Sequence, residues 1–334
     1  MLTRSSFHRI LLIAGLALVA ILLAIGSLLT GPTQFGSTEI AGILSGNGDP
    51  VLRAVLLDLR LPRALLGLMV GAMLGLSGAV LQGYLRNPLA EPSVLGTSNA
   101  AALGAVIALY FGIAQLHPLA LPLLGITGAL AGLVPLMLLS GRAESPLSLI
   151  LAGIAVGTLA GAGISLALNL APNPFAAVEI MSWLMGSLED RSFEHFWLAL
   201  PCIAIGAALL LWNSRALDAL TLGEEAAQTL GVDLKRLQLR ILVGIAIGVG
   251  GAVAVSGAIG FVGLIVPHLL RPFGDRSPSA LLLPSALGGA ALLSAADIAV
   301  RLIPADTELR LGVLTAILGV PVFLYHLVRE RRLW

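Results

Sequence analysis

Long apolar blocks dominate the chain, at residues 10–29, 61–83, 94–112, 118–139, 147–168, 193–212, 237–258, 259–270, 280–298 and 311–328. A helix needs about 20 consecutive, mostly apolar residues to cross a bilayer core. Most of the blocks reach that length, so the pattern predicts an all-α membrane protein with about ten transmembrane helices in one domain over residues 1–334. Block 259–270 is too short to span comfortably and carries Pro267. It is expected to be a half-buried or broken helix, or to continue its neighbour. The first block follows Arg4 and Arg9, as a secretory signal would. Its core exceeds the ~7–15 apolar residues of such a signal and lacks a clean small-x-small cleavage site, so a retained first helix is expected.

Orientation follows from the charges between blocks. If the chain starts inside and ten segments alternate, both termini are cytoplasmic and 13 of the 19 basic residues fall on the inner side. Arg53, Arg60, Arg63, Arg191, Arg301 and Arg310 fall outside. The opposite orientation would invert that ratio, against the excess of Lys and Arg that cytoplasmic loops carry.

Two blocks share a signature. Val70-Gly71-Ala72, Ser77-Gly78-Ala79-Val80 and Pro88 recur as Val249-Gly250-Gly251, Ser256-Gly257-Ala258-Ile259 and Pro267 at one constant offset. The two blocks lie five steps apart in the alternation, so the copies run in opposite directions, an internal inverted repeat of the kind common in transporters. Chance likeness between two Gly/Ala-rich helices is the other reading. Small residues also recur at every fourth position: Gly67, Gly71, Gly75, Ala79 and Gly83; Gly153, Gly157, Gly161 and Ser165; Gly244, Gly248, Ala252, Ser256 and Gly260. Lipid removes the hydrophobic drive between helices, so such seams bring backbones close and supply dispersion contacts. They are expected to build the bundle, not to touch cargo.

Only 11% of residues are charged and the net charge is +1, against about 25% charged in a soluble domain. No basic stripe with interleaved aromatics occurs, and nucleic acid is not an expected partner. Cys202 is the single cysteine and lies in an apolar block, as a packed thiol does. His268 reads as a hydrogen-bonded core histidine, and no metal site is assigned. Every Asp and Glu falls at a block end or between blocks, whereas an ion-coupled carrier places carboxylates at mid-membrane. Asp297 comes closest to being embedded, and Arg301 one turn later is its expected partner. A phosphate-binding loop ending in Gly-Lys-Ser/Thr is missing, as are His-Glu-x-x-His and Gly-x-Ser-x-Gly patterns. The chain is therefore expected to be no enzyme, and energy must arrive through a partner. The longest inner connection, residues 212–236, contains Leu222-Gly223-Glu224-Glu225-Ala226-Ala227-Gln228-Thr229-Leu230-Gly231-Val232. Its residues favour a short helix, acidic at its start and ended by Gly231. That helix is either a docking element or a solvated connector.

At this point the motifs carry a resemblance. Arg60-Leu61-Pro62-Arg63, Ser77-Gly78-Ala79, Asn87-Pro88-Leu89-Ala90-Glu91-Pro92, Leu95-Gly96, residues 222–232, Gly257-Ala258-Ile259-Gly260-Phe261-Val262-Gly263-Leu264-Ile265-Val266-Pro267-His268, Ala296-Asp297 and Gly319-Val320-Pro321-Val322-Phe323 stand in one order over nearly the whole chain. As a set they resemble the FecCD-type permeases of bacterial ABC importers for iron–siderophore complexes, haem and cobalamin. The resemblance implies a type II ABC importer permease architecture in the bacterial inner membrane and a dimer, with a second permease copy, around a central pathway. It further implies two cytoplasmic ABC ATPase subunits and a periplasmic substrate-binding protein. No cofactor is expected on this chain; ATP and Mg belong to the ATPase.

By the same resemblance, Leu222, Gly223, Glu224, Glu225, Ala226, Ala227, Leu230 and Gly231 form the ATPase-coupling loop. The wider motif's Ile-x-Leu-Pro continuation is missing here. Arg60, Arg63 and Arg301 would receive acidic residues of the binding protein, internal pairing with Asp58 or Asp297 being the alternative for the last two. Asn87 and Leu89 would form a cytoplasmic gate, although a plain Asn-Pro turn looks the same in sequence. Residues 171–194, with Ile180, Trp183 and Leu184, would form a short periplasmic helix lying on the bundle. The usual Glu-Leu-Pro before the last helix appears as Glu308-Leu309-Arg310, which either enlarges the docking patch or changes its partner. The function so implied is permeation of a metal chelate, with iron–siderophore ahead of haem and cobalamin. An ion-coupled secondary transporter is the rival of another class.

Overall fold

The computed structural model describes residues 4–33, 35–46, 48–117, 119–140, 146–273, 277–303 and 309–331. Helix α1 (Arg4–Leu29) precedes two short helices, α2 (Ser37–Leu44) and α3 (Pro50–Ala54). A wide turn over Val55–Arg60 leads without a break into α4 (Leu61–Tyr84). Then come α5 (Thr97–Tyr110), α6 (Ile113–Leu116), α7 (Ala120–Ser140), α8 (Pro146–Asn169) and α9 (Pro174–Leu184). The second half holds α10 (Phe193–Leu211), α11 (Ser214–Leu220), α12 (Glu224–Thr229), α13 (Leu234–Ser256), α14 (Val262–Leu270), α15 (Pro278–Leu302) and α16 (Leu311–Arg331). No strand occurs among the described residues. Seven helical stretches there are long and apolar enough to cross a membrane, namely α1, α3 with α4, α7, α8, α10, α13 and α15. The other three expected blocks, α5, α14 and α16, contribute shorter apolar helices.

Residues 30–60 gave no block in sequence, yet they carry α2, α3 and the wide turn. Arg53, Asp58 and Arg60 interrupt their apolar run and hide it. The chain is started locally: Val51 N–H donates to Asp49 Oδ1 at 2.7 Å, and Pro50 fills a helix position that needs no donor.

At the centre stands α4, packed on α15, α14, α10 and α13. Its contact with α15 runs along Gly71 and Gly75. A Cβ at Gly71 would collide with the Gly289 carbonyl, one at Gly75 with the Ser285 carbonyl, and one at Gly289 with the Gly71 carbonyl. Comparable contacts hold Gly104 and Gly128 between α5 and α7, and Gly206 and Gly248 between α10 and α13. The small-residue seams thus serve helix approach, as expected, except at Gly161, which has no neighbour near its missing side chain, and at Gly260, which lies in the break between α13 and α14. Buried Leu66, Met73, Leu81, Ile241 and Leu242 fill the space between the seams.

The repeated signature adopts two different backbones. Ser77-Gly78 lies inside unbroken α4, with Ser77 Oγ donating to Leu74 O. Ser256 instead ends α13; Gly257 takes a φ of +70°, and Phe261, at +68°, precedes α14. The break is packed closed. Ser187 N–H donates to Ser256 O at 2.8 Å, and Leu311 and Gly312 donate to the carbonyls of Gly186 and Met185. Helix α9 starts under an Asn173 cap, buries Ile180 completely against Val106 and Leu109, and packs Trp183 and Leu184 beside them.

A Gly75→Leu replacement forces α4 off α15, and overpacking of this kind costs about 1–3 kcal/mol. Thermal melting in detergent should fall for Gly75→Leu and hold for Gly15→Leu, whose position has no neighbour within 4 Å.

Candidate functional site

The connection expected to couple to an ATPase, residues 212–236, forms two short helices, α11 and α12. Gly223, with φ of +103°, separates α11 from α12; an L-residue there is strained because its Cβ meets the backbone. Gly231, at +88°, ends the second turn with its N–H on Gln228 O, and Val232 N–H returns to Ala227 O. Ala227 is fully buried, which anchors α12 to the bundle. Leu222 and Leu230 are 68% and 65% exposed on either side of it. Glu224 and Glu225 sit in its first turn. The short anchored helix thus presents two bare leucines and an acidic start on the surface of the bundle.

Two contacts tie this loop to the rest of the chain. Arg86 donates to Glu224 Oε1 at 3.1 Å, and Ser279 N–H, in the first turn of α15, donates to Asp218 Oδ1 at 2.9 Å. Both partners of the ion pair are partly exposed, at 45% and 33%, so it adds at most about 1 kcal/mol to stability. Its meaning is positional, since Arg86 directly precedes Asn87 and Leu89. Asn87 Oδ1 accepts from Leu89 N–H at 2.9 Å, making a side-chain-closed turn with Leu89 half-buried. A cleft of about 610 Å³ beside it is lined by Gln82, Arg86, Pro88, His268 and Arg271, and Arg271 donates to Gln82 Oε1. Neither Arg86 nor Asp218 was singled out in sequence; the position of Arg86 just before the Asn-Pro turn was the available signal.

Glu91, within the motif but without an assigned task, crosses to the broken helix. Its Oε1 accepts from Phe261 N–H at 2.5 Å, placing a carboxylate at the N-terminal end of α14. Burial pushes its pKa above the usual carboxylate value, opposed by the hydrogen bonds from Phe261 and Ser93.

The far end of α15 holds an ionic cluster. Asp297 is 2% exposed and receives Arg63 Nε at 2.9 Å and Arg301 Nη2 at 2.7 Å. Ser27 Oγ donates to Asp297 as well, and Arg301 reaches the carbonyls of Ser27 and Thr30. Arg60, 6% exposed, donates to Leu28 O and Thr33 O and lies over the Phe35 ring. Helix α1 therefore has its C-terminal carbonyls taken by arginines from α15 and from the turn before α4. Arg63 and Arg301 adopt the internal pairing with Asp297, not Asp58, so the three expected docking arginines are anchored in the fold. They line a cleft of about 650 Å³ together with Glu189, Asp190 and Arg191. Arg310 donates to Glu189 Oε2 and Ser182 Oγ, both at 2.7 Å, and so joins α16 to α9. Glu308 lies outside the described residues.

An Asp297→Ala change leaves two guanidiniums without their shared carboxylate, and breaking a buried pair costs about 3–5 kcal/mol. Melting should drop accordingly, while Glu224→Gln should move it by less than about 1 kcal/mol. For Glu91, a raised native pKa means that the folded state binds the proton more tightly than the unfolded chain. Stability should then fall as pH rises from the ordinary carboxylate pKa through the raised native one, and Glu91→Gln should flatten that slope in pH-dependent melting.

Comparison with known proteins agrees with this geometry. The model of the FecCD transport family matches residues 16–329. An uncharacterized ABC transporter permease protein, YvrB of Bacillus subtilis, is 38% identical over 292 residues, covering 86% of this chain and 82% of that protein. The vitamin B12 import system permease protein BtuC of Citrobacter koseri is 40% identical over 278 residues, covering 82% and 83%. A solved inward-facing conformation of an ABC transporter, described as of metal-chelate type, superposes with a TM-score of 0.85 at 33% identity, over 95% of this chain and 98% of that one. On these matches the chain belongs to the FecCD transport family, as a permease subunit of an ABC importer.

Proposed function

We propose that this chain carries a metal chelate from periplasm to cytoplasm across the bacterial inner membrane, with both termini cytoplasmic. ATP hydrolysis with Mg takes place on separate ATPase subunits, a second permease copy completes the pathway, and a periplasmic binding protein supplies the cargo. One observation carries the coupling part of this reading: anchored α12, with Leu222 and Leu230 bare, is ion-paired through Glu224 to Arg86 at the edge of the Asn87–Leu89 turn. A push on α12 is delivered to that turn, which acts as the cytoplasmic gate. Through Asp218 it also reaches the start of α15. The helix runs on to Asp297, about 27 Å away at 1.5 Å per residue. Such a rod links loop motion at one end to rigid-body change at the other.

The cargo is an iron–siderophore complex in the leading reading. The BtuC relatives favour cobalamin as the second. Elemental analysis decides between them. The complex is purified gently through a tag on this chain and its associated proteins are identified. Iron on a co-purified binding protein supports an iron–siderophore or haem cargo and cobalt supports cobalamin; a chain recovered alone and without metal overturns both.

Coupling is tested separately in proteoliposomes. Gly223→Val and Glu225→Lys should keep membrane insertion and ATPase hydrolysis but cut transport per ATP by about tenfold or more, a loss of at least ~1.4 kcal/mol in the coupled step. Arg86→Glu and Glu224→Arg should each lower it, and the double exchange should restore part of the loss. Unchanged coupling in all four single variants would count against the loop assignment.

A further inference from the structure

A cleft of about 530 Å³ is walled by the end of α10, by α11, by the turn after α12 and by the start of α13. Small-molecule sites have volumes of about 300–1,000 Å³. Three arginines line it, Arg215, Arg236 and Arg240, and among its described residues Asp233 is the one carboxylate. That carboxylate is taken, since its Oδ2 receives Arg236 Nε at 3.0 Å and its Oδ1 the Arg236 N–H at 3.1 Å. Arg215 and Arg240 are tied to no carboxylate among the described residues, so the cleft carries two guanidinium charges in excess. Arg240 stands over the Trp212 ring, 5.6 Å from its centre. Stacking of this kind fixes the plane of a guanidinium and leaves the N–H groups on its edge free to donate. The groups that such a fork matches are a carboxylate and a phosphate.

The surroundings of the cleft choose between the two. Helices α10 and α13 are both long and apolar enough to cross a membrane, and the cleft lies where one ends and the other begins. Trp212 caps α10 and is 75% exposed; tryptophan at the end of an apolar span sits at headgroup level, its ring part in lipid and part in water. Leu211 and Leu239, the chain neighbours of Trp212 and Arg240, are bare as well. Cations beside bare apolar side chains at that level match a phosphate that carries acyl chains, whereas a protein carboxylate has no such tail to place. In the orientation that the charges favour, all three arginines face the cytoplasm. Basic pockets between spanning helices on that side take anionic headgroups. We propose that this cleft binds an anionic phospholipid of the inner leaflet, with Arg215 and Arg240 on its phosphate and its chains along Leu211 and Leu239. The inference rests on the import reading for the cytoplasmic side alone. Leu230 closes another wall of the cleft, so the bound headgroup touches the end of α12.

The test counts lipids by native mass spectrometry on the purified permease–ATPase complex, released from detergent that contains equal amounts of phosphatidylglycerol and phosphatidylcholine. The wild type should retain phosphatidylglycerol in preference. Arg215→Gln and Arg240→Gln should each weaken that retention by about tenfold, the loss of one charge-assisted hydrogen bond. Arg240→Lys, which keeps the charge but not the fork, should fall between. Melting of Arg215→Gln without added lipid should match the wild type, while the rise that phosphatidylglycerol gives the wild type should shrink. Equal retention of the two lipids, or undiminished retention in both glutamine variants, overturns the inference. If inorganic phosphate displaces phosphatidylglycerol at matching concentration, the cleft takes a free anion and the lipid is overturned. Glutamine variants that keep the lipid but shed the ATPase overturn it in favour of a protein contact. The lipid count can be read equally on the permease chain alone, so a chain recovered without an ATPase, which overturns the import reading, leaves this result standing.

Discussion

The contact between α4 and α15 is the constraint on which the other helices depend. Neither helix gains by hiding leucine from lipid, so they are held by dispersion and by backbone proximity, and proximity requires that no Cβ intervene. Gly71, Gly75 and Gly289 meet that requirement at three successive levels of one seam. Once α15 lies that close, its ends are fixed. Ser279 comes to Asp218 at one end and Asp297 to Arg63 at the other. Helix α1 then closes on α15, with its last carbonyls taken up by Arg60 and Arg301.

The two ends of α15 are built on different energetic principles. At the end beside α11 and α12 the contacts are partly exposed and individually weak. Around Asp297 they are buried, charged and mutually dependent, so that removing one member strands the others. Helix α15 is therefore clamped where Asp297 stands and only lightly tied at its start.

Much of this was legible in the chain. The apolar blocks, the short block at Pro267 and the turn punctuated by Gly223 and Gly231 announce themselves, because each is a local property of composition or backbone freedom. Pairings over long separations were legible at most as open alternatives, as for Arg63 with Asp58 or Asp297. Arg63 and Asp297 lie 234 positions apart, and Arg86 and Glu224 lie 138 apart. Nothing local to either member says which of several charges it will meet. The duplicated Ser-Gly-Ala signature misleads in a third way. Identical residues continue a helix at Ser77 and end one at Ser256, since the neighbours that decide, Trp183 and Gly186 against Gly257, belong to the tertiary fold.

The carboxylate of Glu91 on Phe261 N–H has a consequence for biosynthesis. The start of α14 is capped by a residue 170 positions earlier. A nascent chain emerges N-terminus first, so the loop bearing Glu91 has left the ribosome long before α14 needs its cap. The first half of the protein therefore stands ready with the acceptor that starts α14 before α14 itself is made.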